Sequence, residues 1–284
     1  MQIEIVSMED TKAEFYLKNS SPAMANALRR TMLQDIPKMA IDKVDFHLGP
    51  IMQDDKEYES VTSLFDEVIA HRLGLVPVPT TDQFKFQNEC SCGGTGCPGC
   101  TIMYGLNKVG PCTVLSGDLT PLGDSSLKVK DEHIPIVELT DTQAVLIYAT
   151  AVMGTAKQHV KWQAAFGVGY SYWPNISINA EKATDIDIKK YAVSEYPKLF
   201  KYDEGDPESV LEVDDFKRAC VLGKAVQHDE RLKNVVTIDW DDTNFIFKFE
   251  TDGSLTARQV LDKAVEILDA KAKEFRDAVN EAEF

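Results

Sequence analysis

The sequence predicts an α+β fold with a second, mostly β domain in the middle of the chain. Apolar and polar residues alternate near the N-terminus and again at 245–249, as they do in half-buried strands, and the C-terminal segment carries an amphipathic helical pattern. Between these ends the pattern is irregular from about Met39 to about Val152. With 284 residues and a hydrophobic fraction of 44%, the chain can bury a sizeable core.

The N-terminal segment predicts a β-hairpin followed at once by a helix. Residues 3–5 and 13–17 alternate on either side of a polar turn. Ser20 or Ser21 can cap the helix, and Pro37 marks its end. One face of this helix carries Met24, Ala27, Leu28, Thr31 and Met32.

The middle of the chain predicts short strands, a helix from about Thr62 to Leu73 and a cysteine loop. Strand-like character resumes over 160–172. The stretch 179–213 is polar, rich in charge and contains proline, so it is either a small subdomain or a long excursion.

Two strands and a helix are predicted for the rest of the chain. Residues 235–240 and 245–249 alternate around a polar turn, with Phe245, Phe247 and Phe249 on one face.

The final helix begins at a capping box of Thr256 and Gln259, with Leu255 and Val260 as the hydrophobic staple. Such a helix needs a surface to lie against, either the chain's own sheet or a partner helix. Its apolar side carries Leu261, Ala264, Leu268 and Phe275, with Lys271 interrupting.

Four of the six cysteines, Cys90, Cys92, Cys97 and Cys100, form two close pairs around a glycine-rich turn. This arrangement can wrap four thiolates around one tetrahedral ion. Zinc is favoured over an iron–sulfur cluster because the spacing does not match the common ferredoxin runs, and a metal-free loop is the remaining alternative. Four cysteine ligands leave no open position for water, so the predicted ion is structural and not catalytic.

Charge and motif content exclude several classes of protein. Forty-six acidic residues against 30 basic ones give a net charge of −16, which disfavours direct binding to DNA or to other phosphate backbones. The histidines are scattered, and none of the common catalytic or phosphate-binding motifs is present. No apolar run is long enough for a bilayer and the N-terminus lacks the features of a signal peptide, so we expect a cytoplasmic protein without a membrane partner.

Several segments, in order along the chain, resemble the D subunit of archaeal RNA polymerase and its eukaryotic and bacterial alpha-type relatives. Each motif alone is only weakly specific for this family, but the motifs together are specific for it. These segments are Ala25–Met32 with Ile36–Pro37, Glu67–Pro77, the cysteine loop, Ser116–Leu119 and Ala156–Trp162.

The resemblance implies a discontinuous dimerisation domain formed by 1–38, 156–172 and 223–284, the last part being a hairpin and the long helix. An inserted β-rich domain, 39–155, carries the cysteine loop, and 173–222 forms a small third domain or insertion.

In function, the resemblance implies a subunit of DNA-directed RNA polymerase, a nucleotidyltransferase, that itself has no active site. Such a subunit pairs with the small L-type subunit and docks the two large catalytic subunits and small platform subunits. The implied interface residues are Met24, Leu28, Arg29, Arg30, Leu261, Ala264, Leu268 and Phe275, with the two arginines facing a large subunit.

The sequence departs from the family pattern in the third domain. Many archaeal D subunits hold an iron–sulfur cluster there, but 173–213 contains no cysteine and Cys220 alone cannot hold one. We therefore expect no cluster in this domain.

Overall fold

The computed structural model describes residues 1–206 and 208–282. The helices are α1 (Pro22–Gln34), α2 (Asp66–Gly74), α3 (Ile186–Glu195), α4 (Phe216–His228) and α5 (Ala257–Glu281). The strands are β1 (Gln2–Met8), β2 (Lys12–Lys18), β3 (Lys38–Phe46), β4 (Ile51–Gln53), β5 (Lys56–Tyr58), β6 (Thr101–Val109), β7 (Cys112–Leu115), β8 (Thr120–Pro121), β9 (Pro135–Leu139), β10 (Ala144–Gly154), β11 (Ala165–Ile178), β12 (Phe200–Lys201), β13 (Glu212–Val213) and β14 (Val236–Thr251).

These helices and sheets confirm a mixed α and β protein, and the chain forms two compact units. One comprises the described residues within 1–6, 14–26 and 169–248, and the other those within 7–13, 27–168 and 249–284. The domain boundaries that follow from the family resemblance stay a prediction. Among the described residues, no helix combines the length and the apolar character needed to cross a bilayer.

The first unit contains most of a four-stranded sheet with the order β1-β2-β14-β11. Its opening strands confirm the predicted N-terminal hairpin. Aromatic side chains pack across the sheet: the ring centroids of Phe15 and Phe247 lie 4.9 Å apart, and those of Tyr170 and Phe247 lie 5.1 Å apart. Of the two predicted capping residues, Ser20 and Ser21, it is Ser21 that caps α1. Its Oγ accepts a 3.3 Å hydrogen bond from the backbone N–H of Met24.

The predicted hairpin at 235–249 is wrong, because β14 runs without reversal through the polar stretch. The carboxylate of Asp241 accepts hydrogen bonds from the backbone N–H and the hydroxyl of Thr243, at 2.7 and 2.6 Å, so the polar residues are satisfied locally without a turn of the chain. The carbonyl of Thr243 in turn accepts the N–H of Ser20 at 2.9 Å. Phe245, Phe247 and Phe249 are buried, as predicted.

The described residues of 179–213, a segment whose structure the sequence does not predict, belong to a subdomain with its own core. Helices α3 and α4 and the short β12–β13 ladder enclose a separate apolar core. The phenol hydroxyls of Tyr191 and Tyr196 both donate to Asp229, at 2.8 and 3.0 Å. The main buried members of the core are Ala192, Leu199, Phe200, Leu211, Ala219, Val226 and Leu232.

The second unit is built around an antiparallel sheet with the order β3-β10-β6-β8. The central strand, β10, is the most apolar run of the sequence because it has neighbours on both sides. Ala149, for example, lies opposite Val44 on β3 and Tyr104 on β6. Helix α2 contacts this sheet and begins later than predicted, at Asp66. The predicted first turn of the helix instead forms a loop in which the Thr62 hydroxyl donates to the carbonyl of Leu64 at 2.7 Å.

Candidate metal centre and partner-binding surface

The cysteine loop lies between a 3-10 turn at Gln87–Glu89 and the start of β6. Gly93, Gly94 and Gly96 have φ angles of +66°, +83° and +88°, a region that favours glycine and that allows the chain to fold back on itself. The carbonyl of Cys97 accepts the N–H groups of Cys100 and Thr101, both at 2.9 Å. The glycine-rich sequence thus produces a compact double turn.

The four sulfur atoms of this loop converge on one point. All of them lie within 4.8 Å of one another, and the Cys90–Cys97, Cys92–Cys100 and Cys97–Cys100 pairs are 3.5, 3.6 and 3.8 Å apart. A tetrahedral ion with Zn–S bonds of about 2.3 Å requires sulfur–sulfur separations of about 3.8 Å. The cluster can therefore hold one metal ion, as the spacing of the cysteines predicts.

The thiols of the cluster differ in pKa. Burial raises the pKa of Cys100 to about 12. Burial also opposes ionisation of Cys92, but hydrogen bonds donated by the Cys90 thiol and by the N–H of Gly96 outweigh it and lower the pKa of Cys92 to about 6. Four thiolates at this separation repel one another, so full deprotonation requires a bound cation.

The exposed half of α5 forms a second candidate site. Leu261 and Ala264, two of the interface residues that the resemblance implies, are buried within the chain. Leu268 is half-buried, whereas Phe275 is 73% exposed. The exposed apolar side of α5 also includes residues that the sequence reading missed. This side, called the α5 stripe below, consists of Val265, Leu268, Ala272, Phe275 and Val279.

The α5 stripe has the spacing of a helix–helix contact. Its members alternate at intervals of three and four residues, which places them on one side of the helix. A seven-residue spacing alone finds only Leu268 and Phe275. Testing the intervening positions for apolar residues would have found Val265 and Val279.

The interface residues predicted on α1 differ in exposure. Met24 and Arg30 are exposed, Arg29 is half-buried, and Leu28 is buried within the chain. Of the predicted set on both helices, Met24, Arg30 and Phe275 are therefore exposed, and Arg29 and Leu268 are partly exposed.

An ionic junction connects α5 to the segment that follows α1. The carboxylate of Asp35 lies 2.6 Å from the Lys157 ammonium and 2.5 Å from the Lys271 ammonium. Burial alone would raise the pKa of Asp35, but the hydrogen bonds and charges of the two lysines outweigh burial and hold the pKa below its ordinary value. The three residues are far apart in sequence, so no local pattern predicts this junction.

An exposed apolar stripe along a helix is a feature of a protein that binds another protein. The comparisons with known proteins are consistent with this class. A family model described as the RNA polymerase Rpb3/Rpb11 dimerisation domain matches residues 14–272.

Relatives of similar length carry one common name, DNA-directed RNA polymerase subunit Rpo3. The relative from Thermoplasma volcanium is 41% identical, covering 93% of this chain and 94% of its own length. Those from Picrophilus torridus and Archaeoglobus fulgidus are 38% and 36% identical, covering 98% and 99% of this chain and 100% and 98% of their own lengths. The chain belongs to the archaeal D-type (Rpo3) family of DNA-directed RNA polymerase subunits, which confirms the resemblance seen in the sequence.

Proposed function

We propose that the chain is a non-catalytic assembly subunit of DNA-directed RNA polymerase that pairs with the small L-type subunit. The pair then serves as the platform for the two large catalytic subunits and the small platform subunits. The observation that carries the proposal is the dimerisation-domain match over 14–272, within which most of the exposed α5 stripe falls. The complex transfers nucleotides in the cytoplasm, while this chain contributes contacts and no catalytic group.

The α5 stripe supplies the pairing surface in this proposal. Burying an aromatic side chain such as Phe275 against a partner helix removes a large apolar area from water, and such anchors dominate the energy of an interface. Met24 on α1 is a further exposed apolar residue proposed for contact with the small subunit. The buried Leu28, Leu261 and Ala264 support these exposed residues from within by fixing the two helices in the fold.

Pairing is tested by co-expressing the chain with the L-type subunit and measuring the affinity of the pair. Phe275→Gln should weaken pairing at least about tenfold, which corresponds to about 1.4 kcal/mol, a typical loss for an interface anchor. Asp277→Gln is the matched control, because Asp277 is exposed on the opposite side of the same helix. Equal affinities for the two variants would contradict the proposed pairing surface.

Arg30, with Arg29 beside it, is proposed to face a large subunit. Arg30 is exposed, so a substitution there should leave the fold intact. Arg30→Glu should retain the small subunit and lose a large subunit when the complex is purified from cells. Retention of the full complex by this variant would show that Arg30 does not contribute to docking of a large subunit.

We also propose that the cysteine loop holds one structural zinc ion. The convergence of four thiols with separations close to those of a tetrahedral site supports zinc, which prefers this geometry and ligand set. Metal analysis of the purified chain should give about one zinc per chain and little iron. Iron with visible absorbance would contradict the zinc assignment.

A further inference from the structure

The outer side of α4 is basic although the chain as a whole is acidic. The helix contains two lysines and one arginine and neither aspartate nor glutamate, whereas the whole chain has a net charge of −16. Successive exposed residues are three or four positions apart, so they lie on one side of the helix. This side is called the α4 basic face below. Its members are Arg218, Val221, Lys224, Ala225 and His228.

Packing on the opposite side of α4 keeps the basic face in solvent. Gly223 and Val226 are buried there. A Cβ atom added at Gly223 would lie 2.9 Å from Cζ2 of Trp240, so the helix is in close contact with β14. The side-chain amide of Gln227 donates to the carbonyl of Ile238 on the same strand. The helix therefore cannot rotate to bury its basic face without breaking these contacts.

The chain does not neutralise the cations of the basic face. In the described part of the chain, no carboxylate lies within ion-pair distance of Arg218 or Lys224. Arg218 donates to the carbonyl of Pro197 at 3.5 Å, and its guanidinium has further N–H donors for a ligand. Lys217, by contrast, is half-buried and paired with Glu14.

The nearest carboxylates in sequence lie at the two ends of α4. Asp215 caps the N-terminus, where its carboxylate accepts a 2.9 Å hydrogen bond from the first turn. Asp229 follows the C-terminus and accepts the Tyr191 hydroxyl at 2.8 Å. Glu230 and Arg231, both exposed, come next and add no net charge. The cations between these ends are therefore available to an anionic ligand.

We propose that the α4 basic face contacts the phosphate backbone of duplex DNA held by the polymerase. Lysine and arginine side chains neutralise phosphates without reading the base sequence. From Arg218 to His228 the face extends over about 15 Å along the helix axis, which allows contact with more than one phosphate. The proposal rests on the proposed function, because the polymerase supplies the DNA.

The composition of the face favours DNA over a protein partner. The centre of a protein interface is normally formed by aromatic or other large apolar anchors. The basic face offers only Val221 and Ala225 as apolar residues, each with cations as neighbours along the helix. The net charge of −16 repels DNA elsewhere and confines the contact to a local basic surface.

A photo-crosslink tests the contact directly. The residue p-azidophenylalanine is placed at position 221 in the purified polymerase bound to labelled duplex DNA, since Val221 lies within the face and is 82% exposed. The same residue at position 186 is the control, because Ile186 is 51% exposed on α3. We expect position 221 to crosslink to DNA more than position 186 does. Equal DNA yields, or a crosslink from position 221 only to protein or only to labelled RNA, would overturn the proposal.

Removal of charge measures the contribution of the two cations. In the polymerase, the double variant Arg218→Gln, Lys224→Gln should reduce the slope of log K for DNA against log salt by about 2, one for each lost phosphate contact. The matched control is Lys182→Gln, Lys190→Gln, which removes two exposed cations before and within α3 and should leave the slope unchanged. Equal slopes for the two double variants would contradict the phosphate contact.

Subunit composition separates this proposal from the assembly role. Both double variants should co-purify with the small L-type subunit and the large subunits in the same proportions as wild type. Loss of a subunit from the α4 variant alone would show that the face docks a protein and would overturn the proposal. A wild-type chain that does not co-purify with the polymerase would contradict the proposed function, on which the DNA contact rests.

Discussion

Asp35 joins two lysines that are more than one hundred residues away from it, at Lys157 and Lys271. Asp35→Asn keeps the shape of the side chain but removes the charge, so the free energy of unfolding should fall by about 1–2 kcal/mol, limited because both lysines are partly exposed. Urea denaturation measures the change. The control is Asp269→Asn, at an exposed position of α5, the helix that carries Lys271, and it should change the free energy of unfolding little.

The effect of Asp35 should depend on pH in a definite direction. Its folded pKa lies below the ordinary value of 3.8. The carboxylate therefore contributes stability that is complete above that value and is lost as the pH falls through the folded pKa. The stability difference between wild type and Asp35→Asn should be constant near neutral pH and shrink in acid. A difference that grows in acid would contradict the lowered pKa.

The indole ring of Trp162 packs so closely on residue 154 that only glycine fits there. A Cβ atom added at Gly154 would lie 2.4 Å from Trp162 Cε2, and the ring is held in place by a 3.1 Å hydrogen bond from its N–H to the carbonyl of Val152. Gly154→Ala should therefore destabilise the fold by about 1–3 kcal/mol, as overpacked cores do. Gly74→Ala is the control, because its Cβ would meet nothing closer than 3.5 Å. Thermal unfolding followed by tryptophan fluorescence distinguishes the two, and equal midpoints would contradict the clash.

At the scale of elements, structure that depends on residues close in sequence is predictable, and structure that depends on residues far apart in sequence is not. The capping box that begins α5 is confirmed: Gln259 donates its N–H to the Thr256 hydroxyl at 3.2 Å, and Thr256 donates its N–H to the Gln259 side chain at 2.9 Å. The residues involved are three positions apart. In contrast, the burial of Leu261 depends on packing with distant parts of the chain, which spacing along one helix does not report.

Strand β14 shows a second limit of sequence reading. Four consecutive polar residues, 241–244, are typical of a turn. An aspartate side chain can also satisfy nearby donors within an extended strand, as Asp241 does here. Both conformations satisfy the same local chemistry, so only the pairing of β14 with its neighbours decides between them.

The cysteine loop is predictable because its four cysteines lie within eleven residues and its glycines supply the tight turns. Cys97→Ser should abolish stoichiometric metal binding and expose the loop to protease, since three thiolates and a hydroxyl hold zinc poorly. Cys112→Ser should keep the metal, because Cys112 lies outside the cluster. Metal analysis with limited proteolysis measures both. Full metal content in Cys97→Ser would exclude Cys97 as a ligand.

At the scale of the whole molecule, charge and apolar surface act in opposite directions. A net charge of −16 makes copies of the chain repel one another at low ionic strength. The α5 stripe favours association because burying Phe275 removes apolar surface from water. The balance between these two terms determines how the chain behaves without its partner.

We expect the isolated chain to self-associate with rising concentration, and more strongly as salt is raised. Salt screens the repulsion between acidic chains, with a Debye length of about 10 Å at 0.1 M and about 3 Å at 1 M, while apolar burial persists. Sedimentation velocity at several salt concentrations measures the effect. Phe275→Gln should shift the chain towards monomer, and Asp277→Gln should not. A chain that stays monomeric at every salt concentration, or that dissociates as salt rises, would show that the stripe does not drive association.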